Sequence, residues 1–275
     1  MPPMYLWRER SMASLPVLAN AAPNYHPRIH HRDRVSVRSA FVRAKKLSQR
    51  YAARLRKIAR HVDDLVRGFD ASTLHGQTLI QASLLRYREV LTPWAEATAE
   101  TFVKEVAAAD QQGWRRMSAE IGRGIEREIQ SAPVAPVMAQ MKQDQVRLIR
   151  SLPEEAAERV NRLVTEGIST GRRAEEIAKD IYETGSVTRS RADLIARTET
   201  GRVATTLQAA RAQHAGSDTF EWVTAGDYDV RSSHKRLSGT VHRWDQPPVC
   251  DVPDIRGLPG TTFNCRCFAR PLFKD

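Results

Sequence analysis

The chain has 275 residues, 43 of them Lys or Arg against 32 Asp or Glu, for a formal net charge of +11. That length suggests one or two domains with ample chain for a core. No stretch approaches the roughly 18 apolar residues of a membrane-spanning helix, so no membrane partner is expected. Three cysteines, Cys250, Cys265 and Cys267, are too few for a disulfide framework and fit a cytosolic product, reduced when made.

The charge is lopsided. Through residue 67 there are 15 basic and 4 acidic residues, while the remainder holds 28 of each sign. An excess confined to one end of a chain speaks to partners, either nucleic acid or an acidic protein surface.

Residues 1–35 carry Pro2, Pro3, Pro16, Pro23 and Pro27 without sustained periodicity, the pattern of an extended arm ordered only against a partner. His26, His30 and His31 fall here, with no helix or strand to fix them as metal ligands.

From Val37 to Phe69 apolar and small residues recur in steps of three and four, which predicts one long amphipathic helix with a seam suited to helix pairing. Ten basic residues and no acidic one lie between Arg34 and Arg60. A solvated helix back usually mixes signs. Arg38, Arg43, Lys45, Lys46, Arg50, Arg54, Arg56, Lys57 and Arg60 are therefore expected to form a face that contacts phosphate or carboxylate.

Further helices are expected at 77–91, 93–130 and 136–150, closing a helical region over 36–150. Pro93 suits a first helical turn, Gly122 and Gly124 weaken the end of the second helix, and SAPVAP breaks the chain at 131–136. Ser151 with Glu154 reads as a capping box opening a new helix. RRAEEIAKDIYETG reads as a short helix ending at Gly185, and Ser190 with Asp193 as the start of another that Gly216 stops.

After 216 the texture changes. TFEWVT, TVHRW and CRCFARPLF read as short strands between turns. The expected fold class is α+β: a mostly helical N-terminal bundle preceded by an extended arm, then a small C-terminal α+β module with a short antiparallel sheet. In that module helices occupy 151–215 and a β-rich terminus 216–275.

The segment GDYDVRSSHKRLSGTVHRWDQPP, 226–248, offers a tight turn at Gly226, a polar loop with Asp227, Asp229, Arg231 and His234, and a hairpin around Ser238 and Gly239. Cys265 and Cys267 lie two apart in FNCRC, sharing one face of a strand. Together with IARTETGRVA at 195–204, this order and spacing resembles the phage Mu F-like minor head (head morphogenesis) protein family over roughly 150–270. Arg197, Glu199, Asp227, Arg231, His234, Gly239, Cys265 and Cys267 carry much of the likeness.

The resemblance implies a non-catalytic minor capsid protein of a tailed phage. Its partners would be the portal protein, the major capsid or scaffold protein, and double-stranded DNA bound without sequence reading. Its place would be the phage head in the virion, and the host cytoplasm during assembly. Many relatives resemble Cys-x-x-Cys after the Gly-Asp turn with a His just before the final Cys-Arg-Cys. Here the pair falls on Arg231 and His234, and the His position on Thr262. No cofactor is expected; the alternative is a zinc ion drawn from His234, His242, Cys250, Cys265 and Cys267. Without metal, Arg231 or His234 would bond to Asp227, Asp229 or Asp245 beside buried reduced cysteines. Arg197 reads as an anchor buried against the C-terminal loop.

Two other classes compete. Asp227, Asp229, Arg231, Ser233, His234 and Glu199 would suffice for phosphodiester or transfer chemistry if they converged. No phosphate cradle, deaminase signature or nucleophile elbow accompanies them. A general nucleic-acid-binding protein would use the basic helix but leaves the C-terminal likeness unexplained.

Overall fold

A computed structural model describes residues 33–121 and 126–273; within these, the side chains of 33–40, 120–121, 126 and 129 lie outside the description. The arm expected at the start of the chain lies, through residue 32, outside the described residues.

The long N-terminal helix forms as α1, Asp33–Arg67. Its buried line is Leu47, Tyr51, Leu55, Ile58, Val62 and Val66, with Ala52 and Ala59 on the flank. Its most extensive partner is α7, Thr184–His214. α2, Leu74–Val90, begins where the Thr73 hydroxyl accepts the Gly76 amide at 3.0 Å. α3, Thr92–Ile121, follows one residue later, and Tyr51 stacks on its Phe102 with ring centroids 3.9 Å apart. Residues 122–125 fall outside the described residues, so the single expected helix over 93–130 is seen as α3 and α4, Glu126–Ser131.

Two expected boundaries are corrected. The helix expected to end at 150 and the one expected to begin at Ser151 are one element, α5, Ala135–Ser169, with Pro153 inside it. Ser151 caps nothing: its single hydroxyl proton is shared between the Leu148 carbonyl at 3.1 Å and Glu155 at 3.0 Å. Proline inside a helix loses one ladder bond and strains another, at about 3 kcal/mol. Buried Ile149, Leu152, Ala156 and Ala157 flank Pro153 and hold the helix together through packing. The line drawn between 150 and 151 thus runs through the middle of α5. Likewise α6, Ala174–Tyr182, yields almost directly to α7. Gly185 lies in the first turn of α7, where a Cβ would meet Asp63 of α1 at 2.4 Å; there it admits a neighbour instead of ending a helix. The α7 stop does fall where expected, with Gly216 at φ +86°.

The C-terminal part is a small antiparallel sheet in the order β2-β1-β5: β1 Thr219–Val223, β2 Val241–Arg243 and β5 Phe268–Leu272. A six-residue helix, α8 Ser232–Leu237, takes the place of the second half of the expected polar loop. A two-stranded ribbon, β3 Val249–Asp251 with β4 Ile255–Arg256, lies between β2 and β5 in the chain. On β1, Phe220 and Trp222 share one face and Glu221 the other, where it pairs with its cross-strand partner Arg270. Trp222, Trp244, Cys250, Leu258, Cys265 and Cys267 join Phe220 in a second core, which also takes in Trp114 of α3 and Ala209 and Ala212 of α7. The α+β class is as expected, and α7 serves both cores.

A buried ion pair ties α3 to α7 beside that joint, Arg211 Nη1 donating to Asp110 Oδ2 at 2.6 Å. Burial pushes the Asp110 carboxyl up to about 7, against the pull of Arg211. The folded chain thus holds a proton there that the unfolded chain releases near the ordinary 3.8. The stability contributed by that proton is full below pH 3.8 and is lost as the pH rises toward 7. Asp110→Asn should flatten that fall, as urea denaturation at stepped pH would measure; an unchanged slope would contradict it.

Candidate functional site

The residues that carry the C-terminal motif gather where α7 meets the loop 257–267. Thr198, Gly201 and Thr205 line one side of α7 at steps of three and four. The Thr198 hydroxyl accepts the Asn264 amide at 3.2 Å, and the Thr205 hydroxyl donates to the Pro259 carbonyl at 2.7 Å. Between them a Cβ on Gly201 would lie 2.6 Å from the Gly260 carbonyl oxygen, so only glycine lets the loop come this close. Thr198 belongs to the Arg-Thr-Glu run that carries the family likeness; Gly201 and Thr205 are not flagged by that likeness, although their shared helix face with Thr198 is legible in the sequence.

Glu199 points the other way, into the bundle, where it is fully buried. Gln145 Nε2 donates to its Oε2 at 2.5 Å and Arg202 Nε at 2.9 Å, while Tyr51 donates to the Gln145 amide oxygen at 3.0 Å. Arg202 also reaches Asp144 at 3.3 Å. Arg197 is exposed, not buried against the C-terminal loop as expected. The helical repeat turns it to solvent and puts Thr198 on the loop side.

Asp227 and Asp229 are both held by Arg266, at 2.7 and 2.8 Å for Asp227 and 3.4 Å for Asp229. Arg231 and His234 make none of the bonds to Asp227, Asp229 or Asp245 expected of them; Asp245 pairs with Arg243 instead. Arg231 donates to the Phe263 carbonyl at 2.5 Å and to the Thr262 hydroxyl at 3.4 Å, with Asp251 at 3.6 Å. Gly239, at φ +80°, donates its amide to the Trp222 carbonyl at 2.8 Å and so returns the chain from α8 to the sheet.

His234, on α8, is buried with Nδ1 3.4 Å from Cys265 Sγ and 3.5 Å from Cys267 Sγ. The Cys265 sulfur also accepts the amides of Gly260 and Cys267 at 3.3 and 3.4 Å. The hydrogen bond from the Cys267 thiol, then His234, holds Cys265 well below the usual thiol range, and the same bond with burial pushes Cys267 up.

Among the described residues these three are the only cluster of at least three His, Cys, Asp or Glu donors whose ligand atoms lie within 4.8 Å of one another. His242 is not among them: its ring bonds the Thr240 hydroxyl at 2.6 Å and lies near Phe220. Cys250 is not either; its thiol donates to the Ile255 carbonyl at 3.4 Å, and burial pushes it up to about 11. Three donors at these spacings match corners of a zinc tetrahedron with bonds of roughly 2.0–2.3 Å. The fourth corner is missing. The cluster is almost closed to solvent, and the two other positions that the family likeness would supply are Arg231 and Thr262, which bond to one another. A guanidinium held beside the sulfurs opposes a cation. These residues do not fit a closed zinc site.

The basic face of α1 is divided. Arg54 donates to both oxygens of Glu105 at 3.2 and 2.7 Å, and Arg56 to Asp193 at 2.7 Å, so these two hold α1 against α3 and α7. Arg43 is half-buried against α3, and the Arg38 side chain lies outside the described residues. Lys45, Lys46, Arg50, Lys57 and Arg60 are exposed.

Residues 158–270 match the family described as Phage Mu protein F like protein. This region is Mu F-like. It begins within α5 and ends within β5, so the α7–loop joint and the cysteine cluster both lie inside it. An uncharacterized protein of Haemophilus influenzae is 28% identical over 130 residues, 47% of this chain and 28% of the relative. An uncharacterized protein of Methanocaldococcus jannaschii is 32% identical over 111 residues, 40% of this chain and 16% of the relative. The matches thus span under a third of each of these longer proteins. No solved structure matches the chain.

Two outcomes follow from this geometry. Gly201→Ala should cost about 1–3 kcal/mol by overpacking, read as a lower denaturation midpoint; an unchanged midpoint would refute the close approach. Protein purified without chelator should carry far less than one zinc per chain by elemental analysis; a ratio near one would overturn the misfit argued above.

Proposed function

We propose that this chain is a non-catalytic minor head protein of a tailed phage, acting in head morphogenesis. Its helical region docks on the portal, or on the capsid or scaffold protein, and its exposed cations contact double-stranded DNA. In this reading it assembles in the host cytoplasm and resides in the virion head. The family match supports the head-morphogenesis part.

The observation that carries the DNA part is the run of exposed cations on α1. Lys45, Lys57 and Arg60 have no ion-pair partner among the described residues, in a segment without acidic residues. Contacts of that kind hold phosphate without reading bases, and their affinity falls steeply with salt.

The geometry of the C-terminal module speaks against catalysis in the 227–234 loop. Its two aspartates are tied to Arg266, its arginine to the 262–263 backbone and side chain, and its histidine is buried among sulfurs. These groups staple the chain and do not converge on an open cleft. In place of a metal, the Arg231 clasp and the His234–cysteine cluster hold the module together, and no cofactor is required.

Lys57→Gln with Arg60→Gln should weaken retention on duplex DNA and lower the magnitude of the log–log salt slope by about two, with the fold unchanged by circular dichroism. Equal affinity and equal slope at several salt concentrations would remove DNA from the proposal.

A further inference from the structure

α1 and α3 run antiparallel, since Arg54 meets Glu105 while Arg43 lies beside Gly113. Past the Tyr51–Phe102 stack they leave a cleft of about 580 Å³. One wall carries Arg43, Lys46 and Arg50 of α1, the other Arg115 of α3. Leu47, Ala108 and Ala109 supply small and apolar lining. The acidic residue on the lining, Glu105, is already bonded to both terminal nitrogens of Arg54. Burial, then the neighbouring Arg116, lowers the Arg43 pKa.

We infer that this cleft is a docking groove for an acidic amphipathic helix of a second protein. The inference rests on the attachment role proposed above for the helical region and names the chemistry of one partner.

Three physical arguments select that occupant. A duplex presents its phosphates on a convex surface and meets the outward side of α1, not a cleft between helices packed roughly 8–10 Å apart. A single strand is held by aromatic platforms on which bases stack, and among the described residues no aromatic side chain lines the cleft. An amphipathic helix lays an apolar seam on an apolar floor. Its carboxylates at steps of three and four stand about 5–6 Å apart, the spacing of Arg43, Lys46 and Arg50 along α1. The chain's own first 32 residues carry four basic residues and one acidic residue, the wrong sign for this groove.

The test uses the full chain and a labelled synthetic helix of about five turns, with a leucine seam flanked by glutamates. Its counterpart carries glutamine at every glutamate. Fluorescence anisotropy should show the glutamate helix bound and the glutamine helix weaker by roughly tenfold or more. Lys46→Glu with Arg115→Glu, both exposed positions, should lose binding to a similar degree while circular dichroism stays unchanged. Lys57→Gln with Arg60→Gln, outside the cleft, should leave peptide binding intact. Equal affinity for the two helices, or indifference to Lys46→Glu with Arg115→Glu, would overturn the groove. So would displacement of the peptide by a single-stranded oligonucleotide whose own binding depends on those two residues, or by a second copy of the chain. Loss of duplex binding in the Lys57 and Arg60 variant is read separately, so either reading can fail alone.

Discussion

The Glu199 carboxylate, fully buried in the middle of α7, constrains the rest of the molecule. A carboxylate taken out of water costs several kcal/mol unless its charge and lone pairs are met. Here Arg202 meets the charge and Gln145 of α5 donates, both at Oε2, and Tyr51 of α1 orients Gln145, while Oε1 has no hydrogen-bond partner among the described residues. Three helices are thereby fixed in rotation and register about one polar point inside an apolar bundle. A small slip of α7 would strand an unpaired charge, a far larger penalty than the loss of one methylene contact.

That fixed rotation gives α7 its second face. Two turns of helix send Glu199 inward and present Thr198, Gly201 and Thr205 to the C-terminal loop, which approaches so closely that a methyl group would not fit. The loop carries Cys265 and Cys267 to His234, and Arg231 closes over Thr262 and the Phe263 carbonyl. A cation with five donors suits carbonyl and hydroxyl oxygens.

Charge on α1 is divided by what the other helices place opposite it. Glu105 and Asp193 claim Arg54 and Arg56, and so convert two of the basic residues into structural joints. Of the cations left exposed, Lys46 and Arg50 line the α1–α3 cleft, where Arg115 of a different helix adds to the same field. A one-dimensional count of Arg and Lys cannot separate these roles, because pairing depends on residues 51 and 137 positions away.

Local chemistry alone determined much. The long amphipathic helix, the strands at 219–223, 241–243 and 268–272, and the glycine stop at 216 follow from periodicity and backbone preference, which act over a few residues. The likeness over 158–270 was legible in motif order. Tertiary structure decided the rest. Packing carried α5 through Pro153 and overrode the capping signal at Ser151, as burial of Ile149 and Leu152 outweighs one lost ladder bond. It turned Arg197 outward, chose Arg266 as the partner of Asp227, and selected three of five candidate ligands. Each of these outcomes depends on groups far apart in the chain, and the free energy of burying, pairing or excluding them exists only once the helices have met.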